Sequence, residues 1–318
     1  MALNSKNEVL KKDNYILGVD GGGTKTIARL INLTTQEQWQ AISGPSSLTN
    51  DFTGAVNVLN TLIDDLTAQA NCQSYDVVAV FGLAGTGESK TVAQLQQMLA
   101  PRFIALEICS DATTSAYGAN NGGEVAVIAL GTGSVGMRLQ STTEGKIMQH
   151  LVGGWGFLIG DEGGGAKLGY YSVQALLKEF QQVGYAQSDL AQAVASFING
   201  VNNSEITREL LATWLASAQP ADFAQISPLV TQHYLMCPVA TSIIANHIAS
   251  VELLIRDTRA DTKLPVVLLG GLASFTQGLL SDSTKQTVIS AKGDALDGAC
   301  LLAKIALEKW QLLNESRS

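Results

Sequence analysis

Two glycine-rich turns hold the residue types best suited to binding phosphate. The first lies in LGVDGGGTKT (residues 17–26) and contains Gly21, Gly22, Gly23, Thr24 and Lys25. The second lies in ALGTGSVG (residues 129–136) and contains Gly131, Thr132 and Gly133. Because glycine has no Cβ, backbone N–H groups in such turns can converge on phosphate oxygens. Two turns of this kind in one chain predict an enzyme that uses a nucleotide.

Two better-known phosphate motifs do not fit these turns. The first turn fails the P-loop pattern because Thr24 stands where the lysine is required, and Lys25 follows one position late. It also leads into IARLINL, whose alternation predicts a strand rather than a helix. The second turn matches the glycine pattern of dinucleotide-binding folds, but the residues after it predict strands and not the helix that this motif needs. NAD binding is therefore disfavoured.

A third segment, GGWGFLIGDEGGGAKLG (residues 153–169), is unusually rich in glycine. Its glycines permit close approach of a ligand, Trp155 offers an apolar ring face, and Asp161 and Glu162 can accept hydrogen bonds from hydroxyl groups. A helix that begins near Gly164 would add amide donors to the same space. The alternative interpretation is a flexible turn with a buried tryptophan.

Composition limits the class of protein. The chain has 318 residues, of which 46% are hydrophobic and 15% charged, as expected for a packed globular protein with two domains. The net charge of −8 argues against nucleic-acid binding. The apolar runs are strand-sized and too short to span a membrane, and residues 1–14 lack a signal-peptide core and predict a flexible lead-in. Scattered cysteines and histidines show no zinc spacing, which indicates free thiols in a reducing cytoplasm.

The predicted elements repeat along the chain. The first half contains strands at 15–33 (interrupted by the glycine turn), 37–43, 76–85 and 103–111, and helices at 54–70 and 91–100. The pattern restarts at Glu124 with two strands around the second turn, a strand near 146–151, helical segments that include 239–260, a strand at 266–271 and a helix after Asp294. No Pro- or Ser-rich linker separates the halves, which join at a helix predicted over 113–120.

This duplicated β-β-β-α-β-α unit resembles the fold of actin, Hsp70 and hexokinase. Within that superfamily, residues 15–306 are similar to the BadF/BadG/BcrA/BcrD-type ATPases, and in particular to their amino-sugar kinases. Seven motifs occur in the family's order: GVDGGGTKT, GLAGTG, SDATTSAYGA, ALGTGSVG, GGWGFLIGDEGGGAKLG, LLGGLA and GDALDGACLLA. The resemblance implies an α/β protein with a duplicated ribonuclease H-like (actin-like ATPase) fold and a central nucleotide cleft. Its lobes would be residues 15–118, completed by the helix 298–313, and residues 119–297.

The resemblance also implies nucleotide contacts. In such kinases the first turn binds the β- and γ-phosphates of ATP, and a carboxylate at the position of Asp20 holds hydrated Mg²⁺, a cation that favours oxygen ligands and retains water. The second turn would bind phosphate as well, and Gly270 with Gly271 would contact adenosine. From the residues alone, Asp20 is equally suited to forming the turn, and the paired glycines to an ordinary strand-to-helix connection.

Asp111 is the candidate general base. It ends a predicted strand before ATTSAYGA, and the family carries an aspartate in the same motif. A sugar hydroxyl that attacks phosphorus needs a proton acceptor within hydrogen-bonding reach, which a carboxylate provides. An N-cap role also suits this position. By resemblance, the sugar-contacting residues are Asn50, Gly85, Thr86, Asp111, Trp155, Gly156, Asp161 and Glu162.

The sequence therefore predicts an ATP- and Mg²⁺-dependent kinase that phosphorylates the 6-hydroxyl of N-acetylglucosamine. Glucosamine is the alternative substrate, because ADFAQISP (residues 221–228) is similar to bacterial glucosamine kinases. Two other classes stay open. An ATPase activator of a dehydratase would need clustered cysteines, and a non-catalytic nucleotide or sugar sensor would not need Asp20 and Asp111. The expected partner is a small amino sugar rather than nucleic acid or membrane, and a homodimer is a candidate assembly.

Overall fold

A computed structural model describes residues 14–144, 146–200 and 206–315. The chain divides into two compact units, Met1–Gly122 with Lys292–Ser318 (the first unit) and Gly123–Ala291 (the second unit). The lobe limits drawn from the sequence differ from these divisions by a few residues and stay predictions. The predicted flexible lead-in lies, apart from Asn14, outside the described residues.

The first unit contains a five-stranded mixed sheet in the order β3-β2-β1-β4-β5. β1, β2 and β3 are antiparallel neighbours, whereas β4 and β5 run parallel to β1. β4 is buried at every position, which explains its unbroken apolar sequence VVAVFGL, and β2 alternates between buried and half-buried residues. The strands are β1 (Tyr15–Gly21), β2 (Thr26–Asn32), β3 (Gln38–Ser43), β4 (Val77–Leu83) and β5 (Ala105–Ser110).

Helices cover both faces of this sheet. On one face, α1 buries an apolar stripe, with Leu59, Leu62, Ile63 and Leu66 packed against residues such as Leu30. On the other face, Ala303, Ala306 and Leu307 of the final helix pack against Ile16, Val78 and Val80 of β1 and β4. The helices of this unit are α1 (Phe52–Gln69), α2 (Ser89–Leu99), α3 (Asp111–Ala119) and, at the end of the chain, α11 (Ala295–Glu315).

The second unit contains a four-stranded sheet in the order β8-β7-β6-β9. β6, β7 and β8 are antiparallel neighbours, and β9 runs parallel to β6. This repeats the arrangement of β1, β2, β3 and β4, including a glycine turn between the first two strands, so the internal duplication predicted from the sequence is confirmed. The strands are β6 (Val125–Leu130), β7 (Ser134–Ser141), β8 (Ile147–Gly153) and β9 (Val266–Leu269).

Seven helices of the second unit lie between β8 and the end of the unit, within its described residues. They are α4 (Gly165–Val183), α5 (Asp189–Asn199), α6 (Arg208–Ser217), α7 (Pro220–His233), α8 (Pro238–Arg259), α9 (Ala273–Leu279) and α10 (Asp282–Lys285). By length and composition alone, α8 is apolar enough to cross a membrane, contrary to the prediction that every apolar run is strand-sized. It contributes Ile244 and Val251 to the unit's apolar cores, and core helices of water-soluble proteins pass the same test.

Candidate active site

The first glycine turn connects β1 to β2 as a tight hairpin. The Gly22 N–H donates to the Lys25 carbonyl oxygen over 3.0 Å, which closes the turn. Gly23, Thr24 and Lys25 are exposed at its tip. Among the described residues, none accepts a backbone hydrogen bond from the N–H of Gly23 or Thr24. These two donors therefore remain available to an anion.

Asp20 and Asp111 lie at the same edge of the five-stranded sheet. β1 and β5 both run parallel to β4, in a register that places Asp20 beside Gly82 and Gly82 beside Cys109. Asp111 follows two positions after Cys109, as the first residue of α3. Ligand sites in sheets with parallel strands form outside the carboxyl ends of those strands, and both carboxylates lie there.

The electrostatics of this edge raise the pKa of both carboxyl groups. Burial raises the pKa of Asp20 to about 6, with further increases from the charges of Asp111 and Asp294 and a smaller opposing effect from Lys25. Burial also raises the pKa of Asp111, although hydrogen bonds from the N–H of Ala112 and from its own N–H act against this. A carboxylate with a raised pKa is a better proton acceptor, as a general base requires.

The N-cap of α3 is Ser110 and not Asp111. Ser110 Oγ accepts a hydrogen bond from the Thr113 N–H over 3.2 Å, whereas Asp111 Oδ1 accepts from the Ala112 N–H over 2.8 Å. The predicted strand 103–111 accordingly ends at Ser110, and the helix predicted over 113–120 begins two residues earlier. The interpretation of Asp111 as the N-cap is therefore wrong, because Ser110 fills that role.

The loop between β3 and α1 runs beside the first turn. The Ser46 N–H donates to the Gly22 carbonyl oxygen over 3.0 Å, and Thr26 Oγ1 donates to Ser46 Oγ over 2.8 Å. A Cβ atom at Gly23 would lie 3.8 Å from Nδ2 of Asn50. The structure thus places Asn50, predicted to contact the sugar, next to the first turn.

The loop after β4 packs on this same segment. Gly85 has a positive φ of 81°, and a Cβ atom there would lie only 2.8 Å from the Thr49 nitrogen. The Leu48 N–H donates to the Ala84 carbonyl oxygen over 3.0 Å. Gly85 is therefore required for close contact between the two loops, and Thr86 follows it as a half-buried residue.

The second glycine turn connects β6 to β7. The Gly131 N–H donates to the Gly133 carbonyl oxygen over 3.0 Å, and a Cβ atom at Gly131 would have no neighbour within 4 Å. Gly131 and Thr132 are exposed. The turn is thus open on the side of Gly131, as a phosphate-binding turn must be.

The amides at the start of α4 are engaged by this turn. The Gly165 N–H donates to the Gly131 carbonyl oxygen over 2.8 Å, and the Ala166 N–H donates to the Thr132 carbonyl oxygen over 2.9 Å. The expectation that these amides would be free for a ligand is therefore wrong. The helix end instead holds the second turn in place by satisfying its carbonyl groups.

Gly270 and Gly271 lie beside the second turn because β9 is the parallel neighbour of β6. Gly270 has a φ of 97°, and a Cβ atom there would collide with the Leu130 carbonyl oxygen. Gly271 is exposed, and a Cβ atom at this position would have no neighbour within 4 Å. The backbone conformation and the nearby Leu130 carbonyl oxygen therefore require glycine at position 270. Gly271 instead leaves open space where a planar group could stack.

The third glycine-rich segment presents an exposed tryptophan. Trp155 is 78% exposed, so the alternative of a flexible turn with a buried tryptophan is wrong. Phe157 anchors the segment by stacking on Phe223, with ring centroids 5.3 Å apart. Trp155 lines a cavity of about 240 Å³ together with Asp161 and Glu162, which brings three of the predicted sugar-contacting residues together. Gly156, with a φ of 89°, lies between them in the chain.

Asp161 also supports the second turn. Its Oδ1 accepts a hydrogen bond from the Gly156 N–H over 3.2 Å, and its carboxylate occupies the space where a Cβ atom at Gly133 would lie. Burial raises the pKa of Asp161, opposed by backbone N–H bonds that include those of Gly156 and Ser134. Asp161 therefore supports the second turn and is also a candidate sugar ligand. The supporting role is not evident from the sequence.

The sequence does not identify Asp294 as a site residue. It precedes α11, where its Oδ1 accepts from the Asp297 N–H over 2.9 Å and the Asp294 N–H donates to Asp297 over 3.1 Å. Its charge raises the pKa of Asp20, so it lies near the first turn. The sequence pattern that could identify it is the pair Asp294 and Asp297, three residues apart at the start of a helix. That spacing is typical of a reciprocal N-terminal cap.

The donors around Asp20 suit Mg²⁺ better than a transition metal. In the described part of the chain, no group of three or more His, Cys, Asp or Glu side chains could hold a metal ion. Mg²⁺ commonly takes one or two carboxylates, keeps several waters and completes its coordination with substrate phosphates. Asp20 supplies one such carboxylate, so its position suits a hydrated Mg²⁺ that completes its coordination with phosphates.

These two sheets with their paired glycine turns define an α/β protein with the duplicated actin-like ATPase fold. The chain belongs to the BadF/BadG/BcrA/BcrD ATPase family, whose model matches residues 17–303. Membership of this family implies ATP as the nucleotide.

Individual relatives cover nearly the whole chain. Glucosamine kinase GspK of Vibrio cholerae is 28% identical over 297 residues, which are 91% of this chain and 96% of the relative. An N-acetylmuramic acid/N-acetylglucosamine kinase of Clostridium acetobutylicum is 24% identical, covering 91% of this chain and 98% of the relative. The crystal structure of a candidate N-acetylglucosamine kinase from Chromobacterium violaceum superposes with a TM-score of 0.79 at 28% identity, covering 92% of this chain and 99% of that one.

Proposed function

We propose that this protein is an amino-sugar kinase that transfers the γ-phosphate of ATP to the 6-hydroxyl of N-acetylglucosamine, giving N-acetylglucosamine 6-phosphate and ADP. The observation that carries the proposal is the placement of Asp20 and Asp111 at one sheet edge beside an open glycine turn. The three relatives described above carry the names of sugar kinases, which supports the same reaction class.

In the proposed mechanism, Asp111 accepts the proton of the sugar hydroxyl as its oxygen attacks the γ-phosphorus. The bond between that phosphorus and the leaving oxygen of ADP then breaks. The free N–H groups of Gly23 and Thr24 bind phosphate oxygens, and the second turn supplies a further phosphate contact. Mg²⁺, held through Asp20, would neutralise charge on the phosphates when bound. Gly270 and Gly271 are proposed to contact adenosine.

The proposed sugar contacts fall into two groups. In the first unit they come from the loops beside the first turn, with Asn50, Gly85 and Thr86. In the second unit they come from the glycine-rich segment, with Trp155, Gly156, Asp161 and Glu162. Aromatic faces together with carboxylate and amide groups suit a ring that carries several hydroxyl groups. We also propose a cytoplasmic location, which suits the four free cysteines. The proposed functional lobes are residues 15–118 with 298–313, and residues 119–297.

Glucosamine is the second candidate substrate, because the Vibrio cholerae relative is named as a glucosamine kinase. The other two relatives carry names that include N-acetylglucosamine, which favours the acetylated sugar. The choice between the two sugars depends on what surrounds the 2-amino position.

A coupled assay of ADP release tests the proposal. The purified protein receives Mg-ATP with N-acetylglucosamine, glucosamine, glucose or N-acetylmannosamine, and the product is identified by mass and by the position of the phosphate. We expect fastest turnover with N-acetylglucosamine and phosphate on the C6 oxygen. Fastest turnover with glucosamine would transfer the assignment to the second candidate.

Two outcomes would contradict the kinase itself. ADP release that no sugar stimulates would indicate an ATPase with another task, such as activation of a dehydratase, and a coloured preparation with bound iron and sulfide would support that role. Nucleotide binding without any ADP release would instead indicate a sensor.

A further inference from the structure

His247 of α8 is a buried histidine that the proposed mechanism does not use. It is 2% exposed, and burial lowers the pKa of its imidazole to about 4, so the ring is uncharged at neutral pH. Its Nε2 shares a hydrogen bond of 2.9 Å with Thr276 Oγ1 of α9. Nδ1 has no hydrogen-bond partner among the described residues. The bond to Thr276 is therefore the one hydrogen bond that the ring makes within the described part of the chain.

Thr276 is the only residue of α9 that is fully buried. Phe275 and Leu279 of the same helix are partly buried against the apolar core of the second unit, and its outer face is exposed. A buried hydroxyl group or imidazole nitrogen destabilises the fold unless it has a hydrogen-bond partner. The bond between His247 and Thr276 therefore determines where the inner face of α9 lies against α8.

Continuous backbone hydrogen bonds connect Thr276 to the proposed adenosine turn. The Leu272 N–H donates to the Leu130 carbonyl oxygen over 3.2 Å, which joins the start of this segment to β6. The Ala273 N–H donates to the Gly270 carbonyl oxygen over 3.1 Å, and the Thr276 N–H donates to the Leu272 carbonyl oxygen over 2.9 Å. A shift of α9 would therefore move the residues that follow the glycine pair.

A second polar contact from α8 lies beyond the other end of α9. Glu252 Oε1 accepts a hydrogen bond from the Ser281 N–H over 2.7 Å. This contact fixes the chain after the helix, on the side away from the glycine turn. Of these two polar contacts from α8, the bond between His247 and Thr276 is the nearer to the turn.

We propose that the His247–Thr276 pair positions α9, and with it the turn at Gly270 and Gly271, for binding the adenosine of the nucleotide. The inference rests on the proposed function, in which this turn contacts adenosine. His247 and Thr276 are positioning residues, because they act through the helix and not through contact with the ligand. Their loss should weaken ligands that carry adenosine and spare those that offer phosphate alone.

The test compares T276V with T276S. Valine has nearly the shape of threonine but lacks the hydroxyl group, which leaves His247 Nε2 without a partner. We expect Kd for Mg-ADP, measured by calorimetry, to rise about tenfold, because affinity falls with the fraction of molecules whose site is correctly arranged. Kd for tripolyphosphate, which has no adenosine, should change by less than about twofold, because a ligand that binds both arrangements equally is unaffected. Serine keeps the hydroxyl group, so T276S should keep both values within about twofold of the unsubstituted protein.

S172A is the matched control. Ser172 is also fully buried, and its Oγ donates to the Gly169 carbonyl oxygen within α4 over 2.7 Å. Loss of this hydroxyl group should lower Tm, as T276V does, without a change in either Kd. H247L removes the His247–Thr276 bond from the side of α8 and should repeat the effect of T276V. In the ADP-release assay, T276V should raise KM for ATP about tenfold and leave kcat and KM for the sugar within about twofold.

Each outcome decides for or against the pair. A selective loss of Mg-ADP affinity in T276V and H247L, with normal values in T276S and S172A, supports the proposal. Equal losses for Mg-ADP and tripolyphosphate, unchanged affinity for both, or the same loss in T276S would overturn it while leaving the kinase intact. The binding comparison needs no sugar, so a protein that binds Mg-ADP but phosphorylates no sugar contradicts the proposed function alone. Absence of Mg-ADP binding to the unsubstituted protein would overturn both.

Discussion

Gly118 of α3 lies directly against the carbonyl oxygen of Asp294 at the start of α11, where a Cβ atom could not fit. The contact is reciprocal, because a Cβ atom at Gly298 of α11 would collide with the Thr114 carbonyl oxygen of α3. Since α3 begins with Asp111, this close helix crossing determines where the candidate base lies relative to Asp20.

We therefore expect G118A to affect both stability and turnover. The added methyl group must push α3 away from α11, and overpacking of this kind costs about 1–3 kcal/mol of unfolding free energy. The displacement of Asp111 should lower kcat by about 10- to 100-fold, because small misplacements of reacting groups have effects of that size. Urea denaturation and the ADP-release assay measure the two effects.

The control for this variant is G278A in α9, where a Cβ atom would have no neighbour within 4 Å. It should leave kcat unchanged and stability equal or slightly higher, since alanine favours a helix over glycine. Normal turnover in G118A would show that the crossing does not position Asp111.

D111N tests the assignment of the base. Asparagine has nearly the same shape and keeps an oxygen that can accept from the Ala112 N–H, so the start of α3 should be preserved. It cannot accept the hydroxyl proton, and we expect kcat to fall by about 10²- to 10⁴-fold, the range for loss of general base catalysis. Calorimetry should show that sugar affinity changes by less than about threefold. A variant with near-normal kcat would refute the role of Asp111.

Much of the fold follows from local sequence. The apolar run at 76–85 predicts a strand, which is observed as β4. The 3.6-residue spacing from Leu59 to Leu66 predicts a helix with one apolar face, which is observed as the buried stripe of α1. The sequence predicts a later start for α3 than the structure has, because Ser110 and Asp111 are both good N-cap residues. Only the backbone conformation decides that Ser110 accepts from the Thr113 N–H.

The candidate site was predictable where it depends on strand order and not where it depends on tertiary contacts. Asp20 and Asp111 each lie at or directly after the end of a strand, and parallel strands bring such ends to one edge. By contrast, the Asp161 carboxylate fills the space beside Gly133, and the Gly165 N–H donates to the Gly131 carbonyl oxygen. These contacts form because the chain returns to the second turn, at the start of α4, from about thirty residues away in the sequence. No local pattern encodes that return.

The raised pKa of Asp20 gives a pH dependence of stability with a definite sign. Its folded-state value of about 6 lies above the ordinary 3.8, so between these values the folded state binds more protons than the unfolded state. The free energy of unfolding therefore falls as the pH rises from 3.8 to about 6. At lower pH, Asp20 is protonated in the folded state, so no buried charge destabilises the fold. D20N removes the charge, and we expect its Tm without Mg²⁺ to exceed that of the unsubstituted protein at pH 7.5 and to match it near pH 4.

Scanning fluorimetry in the presence of a chelator measures this difference, with the exposed residue Glu209 providing the control variant E209Q. A Tm difference for D20N that is the same at both pH values would contradict the assignment of the shift to ionisation of Asp20. If Asp20 holds Mg²⁺ as proposed, added Mg²⁺ should stabilise the unsubstituted protein at pH 7.5 more than it stabilises D20N, because a charged carboxylate binds the cation more strongly than a neutral amide does.

Asp161 combines two roles that substitution can separate. D161N keeps an oxygen that accepts from the Gly156 N–H, and asparagine tolerates the positive φ of 63°, so the unfolding free energy should change little. D161A removes that acceptor, leaves backbone N–H groups unsatisfied and should lower the unfolding free energy by about 1–3 kcal/mol.

If the Asp161 carboxylate also accepts a hydrogen bond from a sugar hydroxyl, as proposed, D161N raises KM for the sugar by about tenfold, because hydrogen bonds to charged acceptors are stronger than those to neutral ones. D257N, at another carboxylate that lines the same cavity, should leave KM unchanged. An unaltered KM in D161N would restrict Asp161 to bracing the second turn.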